Sequence, residues 1–319
     1  MKKRLLGNSD MNLSLIGFGA WAIGGEWTWG WGVQDDNDSI AAIHRALDRG
    51  INWIDTAPVY GLGRSERVVG KAIKERRDKP YVFTKCSMVW DQRSKVSNSL
   101  KRESIRAEVE ASLSRLGVDV IDLYQIHWPV PEQQIEEGWE TLAELKREGL
   151  VRNIGVSNFS VEQMERAQKI TTITSLQPPY NLIRRDIEKG ILPYCQEKGI
   201  GVICYSTMAS GLLSGGMSRE RLEKMDPSDW RKTKNDLFQE PALSRCLKLQ
   251  DLLREIGSQY GRTAGETAIA WTLRNPAITA AIVGMRRPEQ VEGVFRAGEM
   301  NLSDTDIKKI EAFFHQREG

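Results

Sequence analysis

Eight short apolar runs of strand character recur along the chain, with stretches of helical period between and after them. The runs cover 15–19, 51–57, 81–86, 121–128, 152–157, 174–178, 201–206 and 279–284. Three helical stripes are clear: Ile40, Ile43 and Leu47 before Gly50; Ile105, Val109, Leu113 and Leu116 before Gly117; Ile135, Trp139, Leu142 and Leu145 before Gly149. Each trailing glycine fits a left-handed C-terminal cap. Thr263-x-x-Glu266 and Ser303-x-x-Asp306 open two further helices with capping-box spacing, the second with Asp in the place of Glu or Gln. Strand–helix alternation argues a parallel sheet covered by helices, and eight repeats argue a closed (β/α)8 TIM barrel. An open doubly wound sheet is the runner-up. A length of 319 residues would allow two domains, but no Pro/Ser-rich linker or shift of composition divides the chain. It therefore reads as one α/β barrel domain over 1–319. The 5–15 stretch reads as a small N-terminal β-hairpin plugging the barrel floor and turning at Asn8-Ser9-Asp10.

Hydrophobic residues at 40% and charged residues at 28% exclude a disordered or fibrous protein. Lys and Arg number 45 against 43 Asp and Glu, and this near-balance (+2) gives no basic field for nucleic acid or a membrane surface. Cys86, Cys195, Cys204 and Cys246 are scattered, with no C-x-x-C, so neither a zinc site nor a disulfide framework is expected and no metal is assigned. Met1-Lys-Lys-Arg is followed by only Leu5-Leu6, far short of a signal sequence, and no apolar run reaches membrane-spanning length. The expectation is a soluble, cytoplasmic protein.

In such a barrel, chemistry belongs where strands run into their following loops. Asp55 stands near the end of the second run, and Tyr60 follows in a Gly/Pro-flanked loop. Lys85 is near the end of the third run and His127 near the end of the fourth. Strand alternation puts Tyr81, Phe83 and Lys85 on one face, and likewise Leu123, Gln125 and His127. Each alone has an ordinary reading: a turn-forming Asp-Thr, a structural ion-pair Lys, a satisfied core His. Together, at one depth on successive apolar strands, they are costly unless they pair or work. A Lys–Asp pair beside a Tyr is expected to draw the phenol's pKa down from about 10 towards neutrality, making it a proton donor.

Longer motifs carry a specific resemblance. Ile54-Asp-Thr-Ala-Pro-Val-Tyr60-Gly with Ser65-Glu66, the stretch from Leu113 through Asp122-Leu-Tyr-Gln-Ile-His127, and Ile154-Gly-Val-Ser-Asn-Phe159 resemble signatures of the aldo-keto reductase family, in the family's order. The resemblance runs from Gly17-Phe-Gly19 into the 280s and implies an eight-stranded barrel binding NADPH. It also implies that Asp55, Tyr60, Lys85 and His127 form a catalytic tetrad.

The same resemblance assigns a cofactor site. Ser157 and Asn158 match the pair that binds the nicotinamide carboxamide, with Gln177 as companion, and Tyr205 matches the aromatic stacked on the ring. Ser206, Thr207 and Met208 lead into Gly211-Leu212, the segment that wraps the pyrophosphate. Gly19, Ala20 and Trp21 line the mouth near the nicotinamide, with Asp55 below. In Gly284-Met-Arg286-Arg287-Pro288-Glu289-Gln290, Pro288 looks like the first residue of a helix. Two arginines at a helix N-terminus call for an anion, and a 2′-phosphate would supply it, favouring NADPH over NADH. Where the family often has Asn four residues after the Gln290 equivalent, near the adenine, this chain has Val294. Gly17-x-Gly19-x-x-Ala22 formally matches a dinucleotide fingerprint, but Gly24-Gly25 and the Trp-Gly run after it cannot open the helix that fingerprint needs.

Two irregular segments complete the reading. The 21–36 loop carries Trp21, Trp27, Trp29 and Trp31, and the 207–245 segment is long enough to be a lid or binding loop. With Met88, Trp90 and Trp128 they are the expected walls of the substrate pocket, suited to aromatic or medium-sized aldehydes. A C-terminal tail lid is not expected after Phe313-Phe314-His315. The expected activity is NADPH-dependent reduction of aldehydes or ketones, with a small-molecule carbonyl compound as the partner and neither nucleic acid nor membrane. Two alternatives stand: a regulatory binding module resembling channel β-subunits, and an aldolase using Lys85 as a Schiff-base nucleophile.

Overall fold

The computed structural model describes residues 1–227 and 229–315. Strands β1 (Lys3–Leu5) and β2 (Asn12–Ser14) pair antiparallel before the barrel begins. The chain then runs β3 (Ile16–Gly19), α1 (Asp36–Asp48), β4 (Trp53–Asp55), α2 (Arg64–Lys74) and β5 (Tyr81–Cys86). An antiparallel pair, β6 (Met88–Trp90) and β7 (Val96–Asn98), precedes α3 (Arg102–Leu116), β8 (Ile121–Ile126), α4 (Ile135–Arg147) and β9 (Val151–Ser157). Next come α5 (Val161–Gln168), β10 (Ser175–Gln177), α6 (Ile191–Glu197) and β11 (Gly201–Cys204). The last part holds α7 (Arg219–Glu223), α8 (Trp230–Lys234), α9 (Ala242–Gln259), α10 (Ala264–Leu273), β12 (Ile278–Gly284), α11 (Pro288–Glu292) and α12 (Asp304–His315).

Eight parallel strands close on themselves in the order β3-β4-β5-β8-β9-β10-β11-β12, with β12 returning to β3 through pairs such as Val283↔Phe18. All eight expected runs are barrel strands. The second pairs over only three residues, because the chain leaves the ladder after Asp55 into the turn that carries Pro58, which has no N–H to donate. The expected caps form as well: Gly50, Gly117 and Gly149 all have positive φ, and both capping boxes close, Thr263 with Glu266 and Ser303 with Asp306. The longest helix, α9, starts inside the 207–245 segment, most of whose remainder is short helical turns. No helix among the described residues is long and apolar enough to cross a membrane.

The barrel interior is filled, which fixes its open end as the place for chemistry. Leu6, Met11 and Leu13 from the N-terminal hairpin pack against Trp53, Phe83, Leu123, Ile203, Ala280 and Ile282 from the strands. This is the expected floor plug. Arg4 fastens it, donating to the carbonyl of Ile278 at 2.5 Å. Trp53 lies across the floor with its Nε1 on the Ser14 carbonyl (2.9 Å), and Gly17 leaves room for its ring. A Cβ on Gly17 would sit 2.2 Å from that fully buried indole. Gly17→Ala should therefore cost about 1–3 kcal/mol of overpacking. Urea unfolding measures it, and a loss below about 0.5 kcal/mol would show that the ring can shift.

Candidate active site

Above that plug, the next inward layer is polar. Register sets Asp55 beside Gly19 on one side and Phe83 on the other, and Lys85 beside Gln125. Lys85 is wholly buried. Its ammonium donates to Asp55 Oδ1 (2.7 Å), to the Thr56 carbonyl (2.9 Å) and to the Tyr60 hydroxyl (3.4 Å). The other carboxylate oxygen of Asp55 accepts from Gln177 Nε2 at 2.8 Å and from Gln125 Nε2 at 3.5 Å. The His127 ring meets the Tyr60 ring edge-on, with centroids 5.7 Å apart. The four residues expected to form a tetrad thus converge from β4, its following loop, β5 and the end of β8.

The loop that aims Tyr60 is rigid for local reasons. Thr56 Oγ1 and Ser65 Oγ are 2.8 Å apart, and Ser65 donates on to the Ala20 carbonyl (2.9 Å). Gly61 has φ +62°, and a Cβ there would lie 2.1 Å from the Gly24 carbonyl oxygen, so glycine alone fits the turn beside Tyr60. Behind β5, buried Glu66 accepts from Thr84 (2.6 Å) and from Arg115 (2.6 Å), tying α2 and α3 to the strand that carries Lys85.

Electrostatics correct one expectation. The Tyr60 phenol is not drawn towards neutrality; burial, and then the Asp55 and Tyr205 charges, push its pKa well above the usual value. The ammonium that was expected to lower it lies closer to Asp55 than to the phenol, so the carboxylate offsets it. Tyr60 is therefore held as a neutral hydroxyl. Burial, opposed by Asp55, lowers Lys85, while burial and the Lys85 charge push His127 well below its ordinary range. The imidazole is neutral, with one N–H to donate.

The expected cofactor residues gather on the adjoining rim. Ser157 Oγ donates to the Gln177 carbonyl (2.9 Å). Asn158, at φ +63°, donates to the His127 carbonyl and to Ser157 Oγ (3.0 Å each), and it accepts from the Tyr205 hydroxyl (2.9 Å). Its two N–H donors are spent on joining the β8 and β9 ends, while its oxygen, held by Tyr205 from β11's end, keeps a second lone pair for a carboxamide N–H. Gln177 gives its nitrogen to Asp55, whereas its side-chain carbonyl accepts no hydrogen bond among the described residues and is free to take an amide N–H. Ala20 is fully buried and donates to the Asp55 carbonyl (2.9 Å). Ser206 and Gly211 have positive φ, whereas Thr207 and Leu212 are buried, so that segment can meet a ligand there through its main chain.

The arginine pair stands differently from the expectation. Pro288 does open a helix, but α11 is five residues long, too short for a developed dipole. Arg286 is drawn across the mouth, donating to Gln34 Oε1 (2.5 Å), Val33 O (2.6 Å) and Trp31 O (3.3 Å); its own N–H donates to Gln290 Oε1 (2.6 Å). Arg287 points to Asp38 at 3.4 Å on the surface. What still favours an anion is charge: Arg286 forms no ion pair with a carboxylate among the described residues. Burial and the Arg231 and Arg287 charges hold its pKa below the usual range. This donor set, taken together with the Gln177 carbonyl, fits a nicotinamide dinucleotide.

Of the expected walls, Trp21, Trp27 and Trp29 pack with Tyr60 and Met88. Trp21 stacks on Tyr60 with centroids 5.6 Å apart, and its Nε1 donates to the Trp29 carbonyl (2.9 Å). Trp128, next to His127, is two-fifths exposed at the rim. Trp31 lies further round, under the Arg231 guanidinium. Trp90 packs over the Arg115 guanidinium, and among the described residues no ring contact joins it to the tryptophans around Tyr60. Sequence reasoning gave no role to Gln125 beneath Asp55, although its face shared with His127 was visible. Nor did it single out Trp230 and Arg231, which no motif marks. No cluster of His, Cys, Asp and Glu among the described residues could hold a metal ion, and the four-residue tail after His315 lies outside the described residues.

Comparison with known proteins agrees with this fold. A family model described as "Aldo/keto reductase family" matches residues 15–314. The aldo-keto reductase YhdN of Bacillus subtilis is 39% identical over 97% of this chain and 92% of its own. A protein of Escherichia coli named NADH-specific methylglyoxal reductase is 37% identical, over 96% of each chain. The solved structure of a glycerol dehydrogenase from Gluconobacter oxydans superposes with a TM-score of 0.88 at 38% identity, covering 98% of this chain and 95% of that one.

Proposed function

The chain belongs to the aldo/keto reductase family, and from that premise we propose that it reduces aldehydes or ketones to alcohols with NADPH, Tyr60 giving the proton. The observation that carries this reading is the placement of one phenol between a buried ammonium and an imidazole: Tyr60 lies 3.4 Å from Lys85 Nζ and edge-on to His127. The nicotinamide, when bound, supplies the hydride. Gln177, Ser157 and Asn158 would hold its carboxamide, with Tyr205 as the platform. Tyr60 donates its proton to the carbonyl oxygen as negative charge develops there. Lys85 follows that proton's loss: its ammonium stabilises the phenolate left behind, and Asp55, fixed by Gln177, keeps the ammonium in place. Neutral His127 orients the carbonyl through its N–H. Lys85 as a Schiff-base nucleophile has less support, since its nitrogen is wholly buried and directed at Asp55, Thr56 and Tyr60.

Loss of NADPH absorbance across a panel of aldehydes and ketones tests the reading; no turnover on any of them would end it. The preference for NADPH rests on Arg286. Arg286→Leu should raise the dissociation constant of NADPH about ten- to a hundredfold, the worth of a charge-assisted hydrogen bond to phosphate. NADH, lacking the 2′-phosphate, should weaken far less. Quenching of protein fluorescence by each dinucleotide measures both, and equal weakening would remove Arg286 from phosphate recognition.

A further inference from the structure

Of the four residues of the tetrad, His127 is the one whose side chain no hydrogen bond holds. Lys85 is tied to Asp55, Thr56 and Tyr60, and Asp55 also to Gln177. The His127 ring makes no hydrogen bond among the described residues; it is buried and packs edge-on to Tyr60. Its direction is therefore set by packing and by the main chain that carries it. The His127 N–H donates to the Cys86 carbonyl (3.1 Å), and the His127 carbonyl accepts from Asn158 (3.0 Å). One side chain holds the next peptide: the Trp128 N–H donates to Ser87 Oγ (3.3 Å), which gives its own hydrogen to the Trp128 carbonyl (3.3 Å). Beyond it the chain has few other ties. Pro129 and Pro131 have no N–H, and the Val130 N–H turns back to the Trp128 carbonyl (2.8 Å).

Ser87 is fully buried and stands where the chain leaves β5 for β6, two residues after Lys85. Its φ is +84°, in the left-handed region that favours glycine and that a serine adopts only at a cost. Glycine would serve the turn as well, since the Ser87 carbonyl accepts from the Ser99 N–H (3.1 Å) whatever the side chain. What glycine could not supply is the hydroxyl, which crosses from the end of β5 to the peptide that follows His127. A residue kept in an unfavourable backbone conformation beside the tetrad, with a side-chain bond that only that residue makes, points to function rather than to folding.

Resting on the proposed reductase activity, we infer that Ser87 is a positioning residue for His127: its hydroxyl pins the Trp128 peptide, so that the imidazole N–H keeps its aim at the carbonyl oxygen. Ser87 is enclosed and acts only through His127. Because it stands on the same strand end as Lys85, its bond also ties together the two groups that flank Tyr60. An imidazole aimed by its backbone alone is sensitive to a small shift of that backbone, and orientation is where such a shift is felt in the rate.

Two variants test this. Ser87→Gly suits the left-handed φ and removes the hydroxyl; Ser87→Ala removes the same hydroxyl and keeps the unfavourable backbone. With the compound of the aldehyde and ketone panel that the wild type reduces fastest, each should lower kcat about three- to tenfold, the worth of one neutral hydrogen bond. The dissociation constant of NADPH should not change. Ser87→Ala should unfold at lower urea than Ser87→Gly, so that the rate loss follows the hydroxyl and not the stability. In a His127→Ala background, Ser87→Gly should cost less than about twofold, because the residue it acts through is gone. A second readout needs no turnover. The chain has three histidines. In magnetic resonance spectra of protein labelled at its histidine ring nitrogens, the His127 signals should shift or broaden in Ser87→Gly, while those of His44 on α1 stay in place. Full rates in both serine variants, unmoved His127 signals, or an equal loss with and without His127 would overturn the inference and leave carbonyl reduction standing. If the wild type reduces no compound of the panel, both readings fall. If one serine variant does not fold, the other decides the outcome.

Discussion

Replacing Tyr60 with Phe should lower kcat for carbonyl reduction by about 10²–10⁴-fold, the range for loss of a positioned general acid. The change removes one oxygen and leaves the ring stacked under Trp21 and edge-on to His127. NADPH affinity should therefore stay nearly constant, because the expected carboxamide contacts come from Ser157, Asn158 and Gln177 and none passes through the phenol. Stopped-flow reduction gives the rate and fluorescence quenching gives the affinity. Turnover near the wild-type rate would sink the assignment of Tyr60. The pH profile is a second readout. Burial and Asp55 hold the Tyr60 phenol above its ordinary range, and burial holds His127 below its own. Tyr60 stays protonated and His127 stays neutral between about pH 6 and 9, so kcat should be flat across that window. Had the phenol been tuned to neutrality, a falling alkaline limb near pH 7–8 would be expected instead.

That difference separates what the sequence carries from what only coordinates supply. Alternation of apolar runs and helical stripes is a local property, repeated eight times, so the barrel and its strand ends were legible, and with them Asp55, Lys85 and His127 at one depth. The hairpin plug was legible for the same reason: Leu6, Met11 and Leu13 are apolar in a short turn-bearing stretch. The sign of the Tyr60 shift was not, because it is set first by how fully the phenol is buried and then by the Asp55 charge beside it, and no local pattern reports either. The contacts that hold Arg286 were not legible for a related reason. Its helix is too short to matter, and its partners Trp31, Val33 and Gln34 lie in a loop that nothing in the local pattern connects to it. Within the 207–245 segment, expected as a wall, Trp230 was not singled out: it stacks on Trp21 beside Arg231, whose pairing with Asp229 and seat over Trp31 no local pattern shows.

The second large effect is expected at Lys85, in stability as well as rate. Its ion pair with Asp55 is among the most buried in the protein, the two side chains being 0% and 4% exposed. A pair removed from water draws little net stability from its own attraction, since desolvation consumes most of it. Breaking one side is another matter. Lys85→Met keeps the chain's volume and leaves Asp55 facing the Gln177 and Gln125 amides with no cation, so the folded state should lose about 3–5 kcal/mol. Asp55→Asn added to Lys85→Met removes the orphaned charge, and most of the stability should return. Urea unfolding of the wild type, both single variants and the double variant forms a cycle, whose coupling term should be large because the residues touch. Activity should not return with stability. With Tyr60 intact but no ammonium beside it, the phenolate formed on proton transfer has lost its counter-charge, so both Lys85→Met and the double variant should remain slow by orders of magnitude. A Lys85→Met protein as stable as the wild type would mean that Asp55 carries no charge in the folded state, and the tetrad would need a different distribution of protons.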